Sequence, residues 1–126
     1  MPALTSAKSV TERLQLKGDR RIAVLNAPLA VSDALGAARP RTPAEEAEVV
    51  VLFVADRAEF DLLLPDMAKA VKPDAILWLA YPKLTSNLAA DLSRDVIHAL
   101  APKYGLDTVS QIAIDDDWSA LRLKRV

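Results

Sequence analysis

Ten side chains in this sequence are of types that bind or transform small molecules: Asn26, Asp56, Tyr81, Lys83, Thr85, Ser86, Asp91, Arg94, Asp115 and Trp118. Lys83 with Thr85 and Ser86 lies just ahead of an expected helix, where a cation, hydroxyls and free N–H groups suit a phosphate or carboxylate. The plainer reading is that Ser86, Asn87, Asp91 or Ser93 caps that helix and Lys83 is solvated. Asp91, Arg94 and Asp95 read as a carboxylate set beside a guanidinium for acid–base chemistry, or as an ion pair on one side of a helix at a spacing of three. Asp115-Asp116-Asp117 offers oxygens to a hard cation. Consecutive side chains point in different directions, however, and turns favour Asp for its local bonds to backbone, so no metal site is expected. Tyr81 and Trp118 either stack on a ligand ring or anchor the core with their polar atoms partnered. His98 falls mid-helix beside an apolar face, where a satisfied histidine is the expectation rather than a general base. Ser119 has no base near it in sequence and is not read as a nucleophile.

These residues need elements to place them. Ser9 to Leu16 reads as a short helix ended by Lys17-Gly18-Asp19. Arg21 to Ala27 reads as a strand, and Pro28 opens a helix to about Ala38. Gly36 to Ala44, with Pro40 and Pro43, is a connecting loop. Glu48 to Ala55 is the clearest strand, because Val49-Val50-Val51-Leu52-Phe53-Val54 is apolar on both pleat faces and so is covered on both sides. Asp56 with Glu59 forms a capping box, and Phe60, Leu63, Met67 and Val71 follow at helical spacing, with Pro65 expected to kink or divide the helix. Ala75 to Tyr81 is a third buried strand, Pro82 to Ala90 a polar loop, and Leu92 to Tyr104 a helix closed by Gly105. Thr108 to Ile114 and Ser119 to Arg125 are two more strands, so close that Asp115 to Trp118 must turn an antiparallel hairpin.

The pattern predicts a three-layer α/β sandwich: one domain over 1–126, with 1–17 as a helical segment packed on it. Its sheet is mostly parallel and Rossmann-like, with about five strands and an antiparallel hairpin at the end. In such a sheet ligands sit beyond the carboxyl ends of the strands. Those ends hold Asn26, Asp56, Tyr81-Pro82-Lys83 and Asp115-Asp116-Asp117, with Thr85-Ser86-Asn87 on the same edge.

Composition sets the outer bounds. The 126 residues are 52% hydrophobic and 26% charged, enough for a core and unlike a disordered chain. The chain has no cysteine and one histidine, which removes disulfides, thiolate zinc sites and cysteine nucleophiles and disfavours a His-rich metal site. A net charge of -1 argues against nucleic acid, and no stretch is long enough to cross a bilayer. The N-terminus lacks the apolar region of a signal peptide, so the cytoplasm is the default expectation. Arg20, Arg21, Arg122, Lys124 and Arg125 fall toward the edge opposite the site, while Glu45, Glu46, Glu48, Glu59, Asp61 and Asp66 make an acidic middle; the contrast permits homo-oligomer contacts.

Leu77-Trp78-Leu79-Ala80-Tyr81-Pro82-Lys83, Asp91-Leu92-Ser93-Arg94-Asp95 and Asp115-Asp116-Asp117-Trp118-Ser119-Ala120-Leu121-Arg122 together resemble a family of short bacterial proteins of unknown function, over nearly the whole chain. That resemblance implies no reaction. More broadly, a lysine-proline turn before an apolar strand and an antiparallel strand closing the sheet resemble the sheet of SAM-dependent methyltransferases. The departures are specific. Where those enzymes have a glycine-rich cofactor loop, this chain has Asn26-Ala27-Pro28. The acidic residue that would hold the ribose has no counterpart, and a unit between the first two strands is missing. No cofactor is therefore expected. The leading expectation is a non-catalytic module that binds a small anionic ligand or a protein partner at the strand ends. The alternative is a pared-down methyltransferase-like transferase using Lys83, Tyr81 and an aspartate from Asp91 or Asp115.

Overall fold

The computed structural model describes residues 21–27 and 42–125. The helices expected over 9–16 and from Pro28 to about Ala38 lie outside the described residues. Within them run β1 (Ile22–Leu25), a 3-10 turn (Ala44–Glu46), β2 (Val49–Phe53), α1 (Arg57–Ala70), β3 (Ile76–Pro82), α2 (Arg94–Leu100), a second 3-10 turn (Ala101–Tyr104), β4 (Leu106–Ala113) and β5 (Trp118–Arg125). The strands form one mixed five-stranded sheet in the order β1-β2-β3-β5-β4. β1, β2 and β3 are parallel, and β5 is antiparallel to both of its neighbours. The α/β class and the terminal hairpin match the sequence reading. The hairpin does not simply close the sheet: β5 is inserted between β3 and β4, leaving β4 on the edge.

Burial explains the strand choices. β2 is buried along its whole length, as its unbroken β-branched and aromatic run requires. On the face that carries α1 and α2, Val50, Leu52, Leu77, Leu79, Leu121 and Leu123 pack with Phe60, Leu64, Met67 and Ile97. On the other face Val49, Val51, Phe53, Trp78, Ala80, Trp118 and Ala120 form a second buried cluster. β4 is mostly exposed and carries a register shift between Thr108 and Ser110, as suits an edge strand.

α1 starts where Asp56 accepts from Glu59 N at 2.9 Å, while Glu59 Oε1 accepts from Ala55 N at 2.7 Å, one residue earlier than the standard capping box. Of the kink or division expected at Pro65, the division does not occur: α1 continues through it as one helix. The proline removes only the bond to the Asp61 carbonyl, and Phe60, Leu64 and Met67, buried on either side of it, bind both halves to the core. Leu64, rather than the expected Leu63, is the fully buried member of that stripe.

Of the basic residues expected toward one edge, Arg21 and Arg125 make contacts within the chain at its surface, and Arg20 lies outside the described residues. Arg21 Nη2 lies 3.1 Å from Glu48 Oε2, Lys72 Nζ 3.0 Å from the same oxygen, and Arg21 N donates to Glu48 Oε1 at 2.6 Å. The Arg21 side chain and backbone, then Lys72, hold the Glu48 carboxyl down at about 2, and Glu48 in turn raises Arg21. Arg125 Nη2 donates to the Ala68 carbonyl at 2.8 Å, at the C-terminal end of α1.

Candidate functional site

The end of β3 and the start of β5 are brought side by side. Pro82 pairs with Trp118 and Tyr81 with Ser119, and Lys83 N donates to the Asp117 carbonyl at 2.8 Å. The pleat then separates what the sequence joined, because adjacent cross-strand pairs point to opposite faces. Tyr81 and Ser119 face the α1–α2 side. Trp118 faces the other, edge-on to Phe53 with ring centroids 5.1 Å apart.

On the helical side lies an open trough of about 640 Å³. The loop after β3 contributes Lys83, Leu84 and Thr85; the start of α2 contributes Ser93, Arg94 and Asp95; β3, β5 and β4 contribute Tyr81, Ser119, Gln111, Ile112 and Ala113. Tyr81 is 3% exposed and Ser119 is the one buried polar residue among those described. Their side chains are hydrogen-bonded, and burial pushes the Tyr81 hydroxyl above its usual value against the opposing pull of Arg94. Neither Lys83 nor Arg94 forms an ion pair among the described residues. The trough thus sets two uncommitted cations over a floor holding a neutral hydroxyl pair, with Asp95 as the acidic member.

Of the four caps expected for this helix, Ser93 takes the role. α2 begins at Arg94 rather than Leu92, with Ser93 as its cap accepting from Val96 N at 3.2 Å. Asp91 therefore stands outside α2 and shares no helix side with Arg94. Its Oδ1 accepts from Arg57 N at 2.8 Å, at the start of α1. Ser86 donates to Asp117 Oδ1 at 2.8 Å and accepts from Leu88 N, bracing the loop rather than the trough. Asp115 Oδ1 accepts from the N–H groups of Asp117 and Trp118, both at 2.8 Å, which makes it the pivot of the hairpin turn. Of the acid–base set expected from sequence, Lys83 and Tyr81 share a cavity, whereas Asp91 and Asp115 are committed to backbone N–H groups away from it. Asp56 is likewise a cap. Among the described residues no group of three His, Asp or Glu side chains is arranged to hold a metal.

Asn26 and Trp118 belong to a different, smaller cavity of about 310 Å³ at the ends of β1 and β2, lined also by Ala27, Phe53, Ala55 and Glu59. Asn26 has φ 61, a left-handed conformation, and its Nδ2 donates to the Phe53 carbonyl at 2.9 Å and to Glu59 Oε1 at 3.3 Å. Sequence reasoning missed Gln111, Ile112 and Ala113, because only the sheet order carries β4 to the trough. It also passed over Ser119, whose cross-strand partner is Tyr81.

No protein-family model and no curated protein matches this chain. Solved structures do. A mitomycin 7-O-methyltransferase, MmcR, aligns over 94% of this chain and 54% of its own, at 17% identity and a TM-score of 0.58. LepI in complex with SAM aligns over 93% of this chain and 39% of its own, at 12% identity and a TM-score of 0.55. A single-residue variant of LepI, in complex with SAH and a substrate analogue, aligns over the same 93% and 39%, at 14% identity and a TM-score of 0.54. The chain therefore spans about half or less of these proteins' length, and the likeness is one of fold.

Proposed function

We propose that this chain is a non-catalytic, three-layered Rossmann-like module that takes a small anionic ligand in the trough between β3, β5, β4 and α2. The observation that carries the reading is the placement of Lys83 and Arg94, without acidic partners of their own, over the same cavity floor as the buried Tyr81–Ser119 pair. Two cations at the rim, Lys83 half-buried and Arg94 exposed, favour a phosphate or carboxylate, and the hydroxyls supply neutral hydrogen bonds beneath it. The two aspartates that would make an acid–base set are held by backbone N–H groups elsewhere, which favours binding over turnover. The test is a titration with inorganic phosphate, sulfate and acetate followed by amide and side-chain NMR. Shifts concentrated at Lys83, Thr85, Arg94 and Ser119, and lost in the Lys83→Ala/Arg94→Ala variant, support the reading. Shifts that persist in that variant, or no shifts, overturn it.

A second reading, a pared-down methyltransferase-like transferase, draws support from the fold shared with MmcR and with SAM-bound LepI. Against it stands the β1 end, where Asn26 reaches across to Phe53 and Glu59 in place of an open glycine loop. Calorimetric titration with SAM separates the two: saturable binding that perturbs Trp118 favours the transferase, and its absence favours the anion module.

A further inference from the structure

We propose that the trough is one end of a longer groove that takes a ribonucleoside phosphate; this rests on the anion-site reading above and names its ligand class. A second cavity of about 340 Å³ lies between α2 and the β4–β5 pair, and Arg94 and Asp95 line both it and the trough. Lys83 lines only the first and His98 only the second. The order along the groove is therefore Lys83, then Arg94 with Asp95, then His98, one helical turn further on. Both volumes fall within the range of about 300–1,000 Å³ typical of small-molecule sites.

The chemistry changes along that line in a matching sequence. Lys83 and Arg94 form the cationic end, suited to a phosphate. Asp95 comes next. A carboxylate there opposes a second anion, but it accepts hydrogen bonds from a pair of vicinal hydroxyls, the way an acidic side chain recognises a ribose. At the far end His98 is held by a 2.6 Å contact between its Nδ1 and Thr108 Oγ1, which orients the ring in a cavity that Val109, itself 53% exposed, also lines. An oriented imidazole and an uncovered aliphatic surface offer stacking and apolar contact to a flat heterocycle. A cation, a diol acceptor and a ring platform in this order fit a phosphate, a ribose and a base. An extended dicarboxylate would set its second charge toward Asp95, and a fatty anion would set its tail on polar Thr108, Ser110 and His98.

The test compares inorganic phosphate, ribose 5-phosphate, adenosine monophosphate and its 2′,3′-dideoxy analogue by calorimetry and NMR on the intact chain. Affinity is expected to rise in the order phosphate, ribose 5-phosphate, nucleotide. Loss of the diol should weaken the nucleotide about tenfold, the scale of a hydrogen bond to a charged acceptor. In Asp95→Asn the ribo and dideoxy forms should bind alike, and His98→Ala should weaken the nucleotide but not ribose 5-phosphate. Phosphate binding at Lys83 and Arg94 with no gain from ribose or base, or equal binding of the two nucleotides to the unaltered protein, overturns the inference while leaving the anion site standing. Absence of binding by all four probes overturns both.

Discussion

Replacing Asp115 by alanine tests the division of labour within Asp115-Asp116-Asp117. One oxygen of Asp115 accepts two backbone N–H bonds at 2.8 Å, from Asp117 and Trp118, the second partly buried. A hydrogen bond to a charged group contributes about 1.5–3 kcal/mol, but the turn is at the surface and water replaces part of what is lost. A total of about 2 kcal/mol is the reasonable scale. At about 2.1 cal/mol/K per residue, a chain of this length has an unfolding entropy of about 0.26 kcal/mol/K, so Tm should fall by about 8 °C. Asp116, exposed and with no hydrogen bond or ion pair among the described residues, should change stability by no more than about 0.5 kcal/mol when replaced. Asp117, which holds Ser86 from an exposed position, should fall between them. Scanning calorimetry of the three single variants, with and without magnesium, reads all of this directly. Equal losses at the three positions, or a magnesium-dependent rise in Tm that each substitution abolishes, would refute the turn assignment and restore a cation site.

Glu48 should shape the acid limb of stability. Its folded carboxyl titrates at about 2 against 4.5 for an unpaired glutamate, a depressed value, so its contribution is complete above about 4.5 and disappears as pH falls through about 2. Urea midpoints of the native chain and Glu48→Gln should differ at neutral pH and converge in acid; a constant gap across the range would contradict the pairing with Arg21 and Lys72. Both tyrosines of the chain are raised, Tyr81 by burial and Tyr104 by its bond to Asp61, so their contribution is present below 10 and lost as pH climbs above it. Phenolate absorbance should therefore show no component at the ordinary value of 10 while the protein is folded, and such a component would disprove the packing around either ring. Asn26→Ala should lose about 1 kcal/mol more than Asn26→Gly, since glycine accepts a left-handed backbone that alanine resists. Equal denaturation midpoints would show that the φ of 61 is not maintained in solution.

Local chemistry was legible in the sequence and long-range register was not. The run Val49 to Val54 could only be a strand covered on both sides, and Asp56 with Glu59 could only open a helix there. Gly105, at φ 74, ends the second 3-10 turn where the glycine stood. The length of α2 was misjudged because Leu92 has helical spacing, although Asp91 is drawn to the α1 start and Ser93 is the cap. The candidates that the sequence groups at one end of the sheet are divided there between two cavities. Tyr81 and Trp118 look equivalent until the pairing of Tyr81 with Ser119 and Pro82 with Trp118 sends them to opposite faces. No local pattern in β4 says that β5 will lie between it and β3, and that single fact carries Gln111, Ile112 and Ala113 to the trough.

The inserted position of β5 also governs how the molecule can be built. Both strands that it separates precede it in the chain, so neither can reach its final partner on that side until Trp118–Arg125 has emerged from the ribosome. Until then β3 and β4 each present an open hydrogen-bonding border, the kind of surface that recruits stray strands. The latest-made of the five strands acts as a keystone: the trough, whose floor includes Ser119 and whose wall includes β4, has no existence before it arrives.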